Sequence, residues 1–353
     1  MKTKVALFFG GASNEYEVSL RSAAAVLRAF DEERYEIYKI GLDRDGRWLL
    51  TEATPDLIAA DAWQGGASPC LLSPDRALRG LWVFRPGEAV RRILPDVLFP
   101  LLHGRLGEDG CLQGLFALSG IPYVGCPTEA GALGMDKDAC KRLAQSRGIP
   151  VVPWVRLSGT LLADPERARA VAEEKLAYPM FLKPARSGSS VGAGRVECPL
   201  DFPAALRAAG REDDCVLVEA CVPARELEVA VLEKPSGELE ISRVGEVLPP
   251  GGRFYSYREK YEADSHTRLS THAGLLPSEE NRLRAYAGEL FSLLGCRSCA
   301  RVDFFLSRET GRVYFNEINT MPGFTEISMY PRLLCKERSM SELLDELMAG
   351  AHL

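Results

Sequence analysis

At 353 residues, 46% hydrophobic and 26% charged, the chain has a globular composition and the length for two or three domains. Its net charge of -6, with no lysine/arginine block, leaves no electrostatic footprint for nucleic acid. No apolar run approaches the roughly 18 residues that a membrane span needs, so no membrane partner is expected. The start, MKTKVALFFGGASNEYE, has a basic beginning and a short apolar run, but Val5 to Phe9 is brief and acidic residues follow at once, unlike a signal peptide. Ten scattered cysteines in such a chain read as free thiols. Cys296 and Cys299 form one CxxC, but neither a second pair nor a His cluster accompanies it, and zinc is not expected. The bulk numbers point to a cytoplasmic enzyme.

Val5 to Phe9 reads as a buried first strand, followed by Gly10 and Gly11 and a helix over about 17–30. Arg34 to Leu42 is strand-like, and Asp45-Gly46 marks a turn. Residues 51–92 have weak periodicity and read as an elaborating insertion. Asp96 to Leu102 is a third short apolar strand, leading into HGRLGEDG. Strand, helix, strand is the order of a parallel α/β domain, whose ligands gather at the carboxyl ends of strands. GGASNEYE and HGRLGEDG fall at such ends.

A second unit begins after Tyr123 to Pro127. A helix over 137–147 has Asp136 as its N-cap. Strands at about 151–155, 179–184 and 215–220 alternate with helices at about 165–176 and 203–209. The third unit starts near Glu219, with strands ELEVAVLE and ISRVGEVL, the Tyr-rich stretch RFYSYREKY and a helix over about 279–294. Two strands, ARVDFFL and RVYFNEIN, and a final helix over about 341–348 complete it. The boundaries are 1–125, 126–218 and 219–353, and the fold class is mixed α/β with a parallel N-terminal domain.

The two late strands carry the sharpest chemical signal. Residues two apart on a strand share a face. Arg301, Asp303 and Phe305 therefore point one way, and Phe315, Glu317 and Asn319 point one way on the next strand. The turn-like SRETG lets the strands pair as a hairpin. Two carboxylates, an amide and a guanidinium then converge. Hard oxygen donors suit Mg²⁺, and an adjacent Arg suits an anion that bridges to the metal. A solvated edge hairpin would look similar, but the Phe, Val, Ile and Tyr around these carboxylates imply burial, and buried unpaired carboxylates are costly.

Other segments are less specific. Ser187 to Gly192 is either a plain hairpin turn or a phosphate loop. It lacks the Walker A pattern, so a P-loop NTPase is disfavoured. Lys183, at the end of the preceding strand, points toward that loop and reads as a phosphate ligand. Glu219 and Glu226 are either ordinary strand-end carboxylates or contacts to a purine edge and its ribose. RFYSYREKY is either a mobile lid that excludes water or a stalled strand.

Taken together, FFGGASNEYEVSLRSA, LHGRLGEDGCLQG, GMDK, FLKPARSGSSVG, YREKY, ARVDFF and NEINTMPGFT resemble the D-alanine–D-alanine ligases of the ATP-grasp superfamily, in family order and nearly end to end. The resemblance implies a three-domain ATP-grasp fold with ATP between the last two domains. It implies that Lys137 and Lys183 bind ATP phosphates, aided by Ser189 and Ser190 of the glycine loop. Glu219 and the backbone around Ala220 to Val222 would hold adenine, Glu226 the ribose, and Phe305 and Phe254 the nucleotide. Asp303, Glu317 and Asn319 would hold two Mg²⁺ or Mn²⁺ ions. Glu15, Ser189 and Tyr261 would latch the lid. Glu15 and His103 would face the first D-alanine, and Lys260 the transferred phosphate. Arg301 and the backbone of Gly323 would form the oxyanion hole, and Ser328 would bind the second carboxylate. A homodimer is the usual family state.

By the same resemblance, the first carboxylate is activated as an acyl phosphate and the second amine attacks it under a closed lid. Glu326 and His272 depart from the usual pattern. Met329 follows Ser328 where relatives making D-alanine–D-lactate or D-alanine–D-serine often carry Arg. Met329 and Tyr261 lean toward D-alanine as second substrate, whereas the N-terminal motif looks like the serine-forming ligases. A catalytically dead nucleotide sensor would have lost a metal ligand or Arg301, and all are present. Other ATP-grasp ligases lack this combination of motifs.

Overall fold

The computed structural model describes residues 1–249 and 267–353. The segment expected as a lid, with Phe254, Lys260 and Tyr261, lies outside the described residues.

The first of three sheets is built on β1 (Thr3–Gly10), whose Val5 to Phe9 are fully buried. A strand covered on both faces reads as a continuous apolar run. β1 pairs in parallel with β2 (Tyr35–Leu42) and β7 (Val97–Pro100). Beyond β2 the sheet continues antiparallel through β3 (Trp48–Thr51), β4 (Ser68–Leu72), β5 (Leu81–Val83) and β6 (Arg91–Ile93). Residues 51–92 are thus a sheet extension carrying a short helix, α2 (Pro55–Ala59). The helix α1 (Tyr16–Ala29) buries Leu20, Ala23 and Val26 against β1 and β7. A further helix, α3 (Cys111–Ser119), follows the HGRLGEDG loop and ends at Gly120 in the left-handed region.

The second sheet is antiparallel, in the order β10 (Gly194–Val196), β9 (Met180–Pro184), β11 (Cys215–Ala220), β8 (Trp154–Ser158). The strand expected from Val151 begins only at Trp154. Pro150 and Pro153 lack the N–H a ladder needs, and Val151 forms an isolated bridge to Phe315 instead. Helices α6 (Thr160–Ala163), α7 (Pro165–Glu173) and α8 (Phe202–Glu212) accompany this sheet. The helices before it, α4 (Thr128–Met135) and α5 (Lys137–Ser146), bury Ala130, Cys140 and Ala144 in the core of the third sheet. The Asp136 carboxylate caps α5, accepting from the N–H groups of Asp138 and Ala139 at 3.0 Å.

The third sheet runs β14 (Arg268–Ser270), β13 (Leu239–Leu248), β12 (Ala224–Glu233), β15 (Cys299–Ser307), β16 (Val313–Asn319), with α9 (Pro277–Leu293) packed on it. The last helices, α10 (Met329–Leu334) and α11 (Met340–Ala349), join a core shared with the first sheet, where Phe324 meets Phe99 at 5.9 Å.

The expected hairpin is β15–β16, but its alternation breaks. Asp303 lies opposite Glu317, and a bulge then leaves Asn316 without a cross-strand partner, so that Phe304 faces Phe315. Phe315 consequently turns to the apolar face, fully buried 6.2 Å from Phe304, and does not share a face with Glu317. All ten cysteines are free thiols.

Candidate active site

Cross-strand neighbours share a face of a sheet. On β15, Asp303 has Glu228 on one side and Glu317 on the other, Arg301 lies opposite Asn319, and Phe305 lies opposite Glu226. Arg301 grips Asp303 in a fork, Nε to Oδ1 at 2.8 Å and Nη2 to Oδ2 at 2.7 Å, and reaches Glu228 at 3.2 Å. Asn319 Nδ2 donates to Asp303 Oδ2 at 3.0 Å. Burial disfavours the Arg301 charge, yet Asp303 and Glu228 outweigh it and hold the pKa well above the usual range.

Lys137, the first residue of α5, pairs with Glu317 at 3.3 Å and donates to the Ser187 carbonyl at 2.9 Å. The lysine that touches the glycine loop is therefore Lys137. Lys183, expected there, turns to Glu219 at 3.0 Å and donates to Asn316 Oδ1 at 3.1 Å. The bulge supplies that acceptor. Burial lowers the Lys183 pKa to about 8, with Glu219 acting in the opposite direction. Glu219 also meets Lys141, fully buried, at 2.9 Å.

At the first sheet, Glu15 accepts the Ser189 hydroxyl proton. Its carboxylate is packed between two glycines. A Cβ on Gly104 would stand 2.6 Å from Glu15 Oε2, and one on Gly188 would collide with the same oxygen. Ser189 and Ser190 both adopt positive φ, 49° and 60°, an unusual conformation for residues bearing a Cβ and one that clusters at functional sites. His103 is buried, its Nε2 3.1 Å from Ser22 Oγ and its Nδ1 3.1 Å from the Met321 carbonyl. Burial pulls its pKa down, but Glu108, with Glu15 behind it, raises it overall.

In the turn before α10, Ser328 Oγ accepts from the Thr325 N–H at 3.1 Å and sits 2.7 Å from Thr325 Oγ1. A Cβ on Gly323 would come within 2.7 Å of Ser328 Oγ, so the close turn requires glycine. Glu326 is exposed and Met329 is buried.

These groups surround one cavity of about 440 Å³. Glu15, His103, Ser189, Gly323, Ser328 and Met329 line one part of it, and Arg301, Asp303, Glu317 and Asn319 another. Lys137, Glu226 and Phe305 also line it. Lys183, Ser190, Glu219, Ala220 and Val222 are not in its wall; Lys183 meets the wall through Asn316. Residues 4–126 match the family described as "D-ala D-ala ligase N-terminus", and residues 143–349 match "D-ala D-ala ligase C-terminus". The chain belongs to the D-alanine–D-alanine ligase family.

Similarity to members of that family runs the length of the chain. A D-alanine--D-alanine ligase of Caldicellulosiruptor bescii is 41% identical over 99% of this chain and 95% of its own. One from Mycolicibacterium smegmatis is 43% identical over 94% and 90%. Among solved structures, the VanG D-Ala:D-Ser ligase from Enterococcus faecalis superposes with a TM-score of 0.86 at 37% identity, covering 98% of both chains. The D-alanine-D-alanine ligase from Coxiella burnetii gives 0.83 at 32%, covering 99% and 93%. The fold is the ATP-grasp fold, and the protein is an ATP-dependent ligase.

Four residues of this ligase site escape a reading of the motifs alone: Glu108, Lys141, Glu228 and Asn316. Glu228 had a signal, since it alternates with Glu226 along ELEVAVLE. Lys141 follows Lys137 by one helical turn, which places both on one side of α5. Nothing in the sequence marks the bulge at Asn316. Two carboxylates and an amide at adjacent register positions fit a hard divalent cation. Among the described residues no three His, Cys, Asp or Glu side chains form a metal-holding group.

Proposed function

We propose that this protein joins two D-alanine molecules into D-alanyl-D-alanine for peptidoglycan precursors, cleaving ATP to ADP and phosphate through an acyl phosphate. The observation that carries this is the meeting, in one cavity, of the Glu15–Ser189 pair with the Arg301–Asp303–Glu317 row. Glu15 attracts the ammonium of the first D-alanine, with His103, held between Ser22 Oγ and the Met321 carbonyl, beside it. Lys137 and Lys183 face the phosphates, and Glu219, Ala220, Val222, Glu226 and Phe305 the nucleoside. Arg301, beside the N–H of Gly323, stabilises the oxyanion formed when the second amine attacks; one such donor is typically worth about 3 to 4 kcal/mol. Ser328 receives the second carboxylate. Tyr261 and Lys260 act from the lid, closing onto Ser189 and Glu15 and excluding water from the acyl phosphate.

Asp303, Glu317 and Asn319 would hold two Mg²⁺ or Mn²⁺ ions, which neutralise charge on the phosphoryl oxygens. Arg301 forks onto Asp303 and reaches Glu228 at the edge of this set. The three sheets support three domains, bounded near residues 125 and 218. The reaction is assigned to the cytoplasm and the enzyme to a homodimer. Among the described residues no helix is long and apolar enough to cross a membrane.

The structural likeness to a D-Ala:D-Ser ligase favours a second reading, D-serine as second substrate. Burial of Met329 at the second subsite, where it presents no polar group, favours D-alanine. Phosphate release with D-alanine alone, then with D-serine or D-lactate added, and products resolved by mass, tests both. A dominant D-alanyl-D-alanine product supports the main reading; a dominant mixed product replaces it.

A further inference from the structure

On the nucleotide side of the cavity, three buried lysines meet two carboxylates. Lys137 pairs with Glu317 at 3.3 Å, while Lys183 and Lys141 both pair with Glu219 Oε1, at 3.0 and 2.9 Å. Two lysines therefore share one oxygen of a single carboxylate, Glu219. Lys141 is fully buried and its Nζ has only this ion pair with Glu219, whereas Lys183 also donates to Asn316 Oδ1 at 3.1 Å. The Trp154 ring lies 5.9 Å away and offers only a weak cation–π contact. Asp138, on the same helix, is occupied by Trp154 Nε1 at 2.8 Å and Arg142 at 2.9 Å. A buried cation that has only a share of one carboxylate is costly unless further countercharge approaches.

The helix α5 is anchored in the core of the third sheet through Cys140 and Ala144. Lys141 thus ties that helix to β11 of the second sheet. By sharing Glu219 it keeps that carboxylate from neutralising Lys183 alone.

We propose that Lys141 is a positioning residue for the nucleotide phosphates: it divides the Glu219 charge so that Lys183 stays available to an anion, and it supplies the buried positive charge that the anion balances. This rests on the nucleotide reading above. Replacing Lys141 leaves a closed Lys183–Glu219 pair and a locally neutral wall. Glu226, assigned to the ribose, lies on another strand and has no contact with Lys141 among those described.

The test is calorimetric titration of the full chain with Mg-ADP and, separately, with adenosine, for wild type, Lys141→Met and Lys141→Arg. Weakening of the Lys183 charge toward phosphate is expected to lower ADP affinity of Lys141→Met about tenfold or more, with a clearly smaller loss for adenosine, which has no phosphate but shares the Glu219 contact. The steady-state KM for ATP rises more than kcat falls. Lys141→Arg, which keeps the charge, retains most of the ADP affinity. Equal losses for ADP and adenosine, or none for either, overturn the proposal, as does an ADP loss in Lys141→Arg as large as in Lys141→Met. No D-alanine is present in these titrations. A wild type that binds ADP but makes no dipeptide would unseat the ligase reading while leaving Lys141 testable.

Discussion

Ser189 and Glu15 are 174 residues apart in sequence, yet the hydroxyl of one donates directly to the carboxylate of the other. The contact closes the glycine loop of the second sheet onto the first helix of the N-terminal sheet. Hydrogen bonds to a charged acceptor are among the stronger neutral–ion contacts, typically about 1.5 to 3 kcal/mol. Ser189→Ala is therefore expected to lower kcat/KM for D-alanine by about 10- to 100-fold, by the same magnitudes. ADP affinity should change far less. Initial rates at saturating ATP check this, and an unchanged kcat/KM would separate Ser189 from the first subsite.

Asp303 sits in the middle of the carboxylate row and is held by Arg301 and Asn319. Asp303→Asn is isosteric, and Arg301 keeps Glu228 at 3.2 Å, so the fold should survive. Mg-dependent phosphate release is expected to fall on the order of 100-fold or more. Circular dichroism melting alongside the rate assay checks that the loss is not unfolding. Near-normal turnover would remove Asp303 from the metal site.

Lys183 is depressed from 10.5 to about 8 by burial. A lysine lowered in the folded state costs stability in full below about pH 8, because both folded and unfolded chains then carry the proton. Between about 8 and 10.5 the unfolded chain binds more protons, so stability contributed by this group rises with pH. Affinity for ADP should move the opposite way, falling above about pH 8 as the ammonium is lost. Titrations of ADP across that range check the sign, and Lys183→Met should flatten the dependence.

Glu326 departs from the family pattern, but its side chain is exposed and absent from the cavity wall, whereas Met329 is in it. Glu326→Ala should leave the ratio of dipeptide products within about twofold of wild type, as surface changes usually do. Met329→Arg should shift that ratio toward D-serine or D-lactate products, because it brings a charge and hydrogen-bond donors to an apolar subsite. Mass-resolved competition between D-alanine and D-serine checks both variants. A large shift from Glu326→Ala alone would place that carboxylate at the second substrate after all.

Alternation along ARVDFFL and RVYFNEIN was enough to bring Arg301, Asp303, Glu317 and Asn319 together, because strand geometry has a fixed period of two and needs no distant partner. Asp136 as the cap of α5 was legible for a similar reason, being a local hydrogen bond. Phe315 was misplaced because a bulge is a property of two paired strands, and one strand's sequence does not reveal it. The start of β8 was misread because apolar residues at Val151 and Val152 suggested a strand that two prolines prevent.

The sequence by itself determined the fold class, the apolar strands, the cap of α5 and the chemistry of the Arg301–Asp303–Glu317 row, since these follow from local periodicity and residue type. Only the tertiary structure decided that Lys183 turns from the glycine loop to Glu219 and Asn316, that Lys137 takes its place, that Lys141 is buried beside them, and that Glu15 meets Ser189. Those choices are balances of burial and charge among groups far apart in the chain. A charged side chain in a low-dielectric interior takes whichever partner the packing brings within about 3 Å, and that partner is set by how sheets and helices dock.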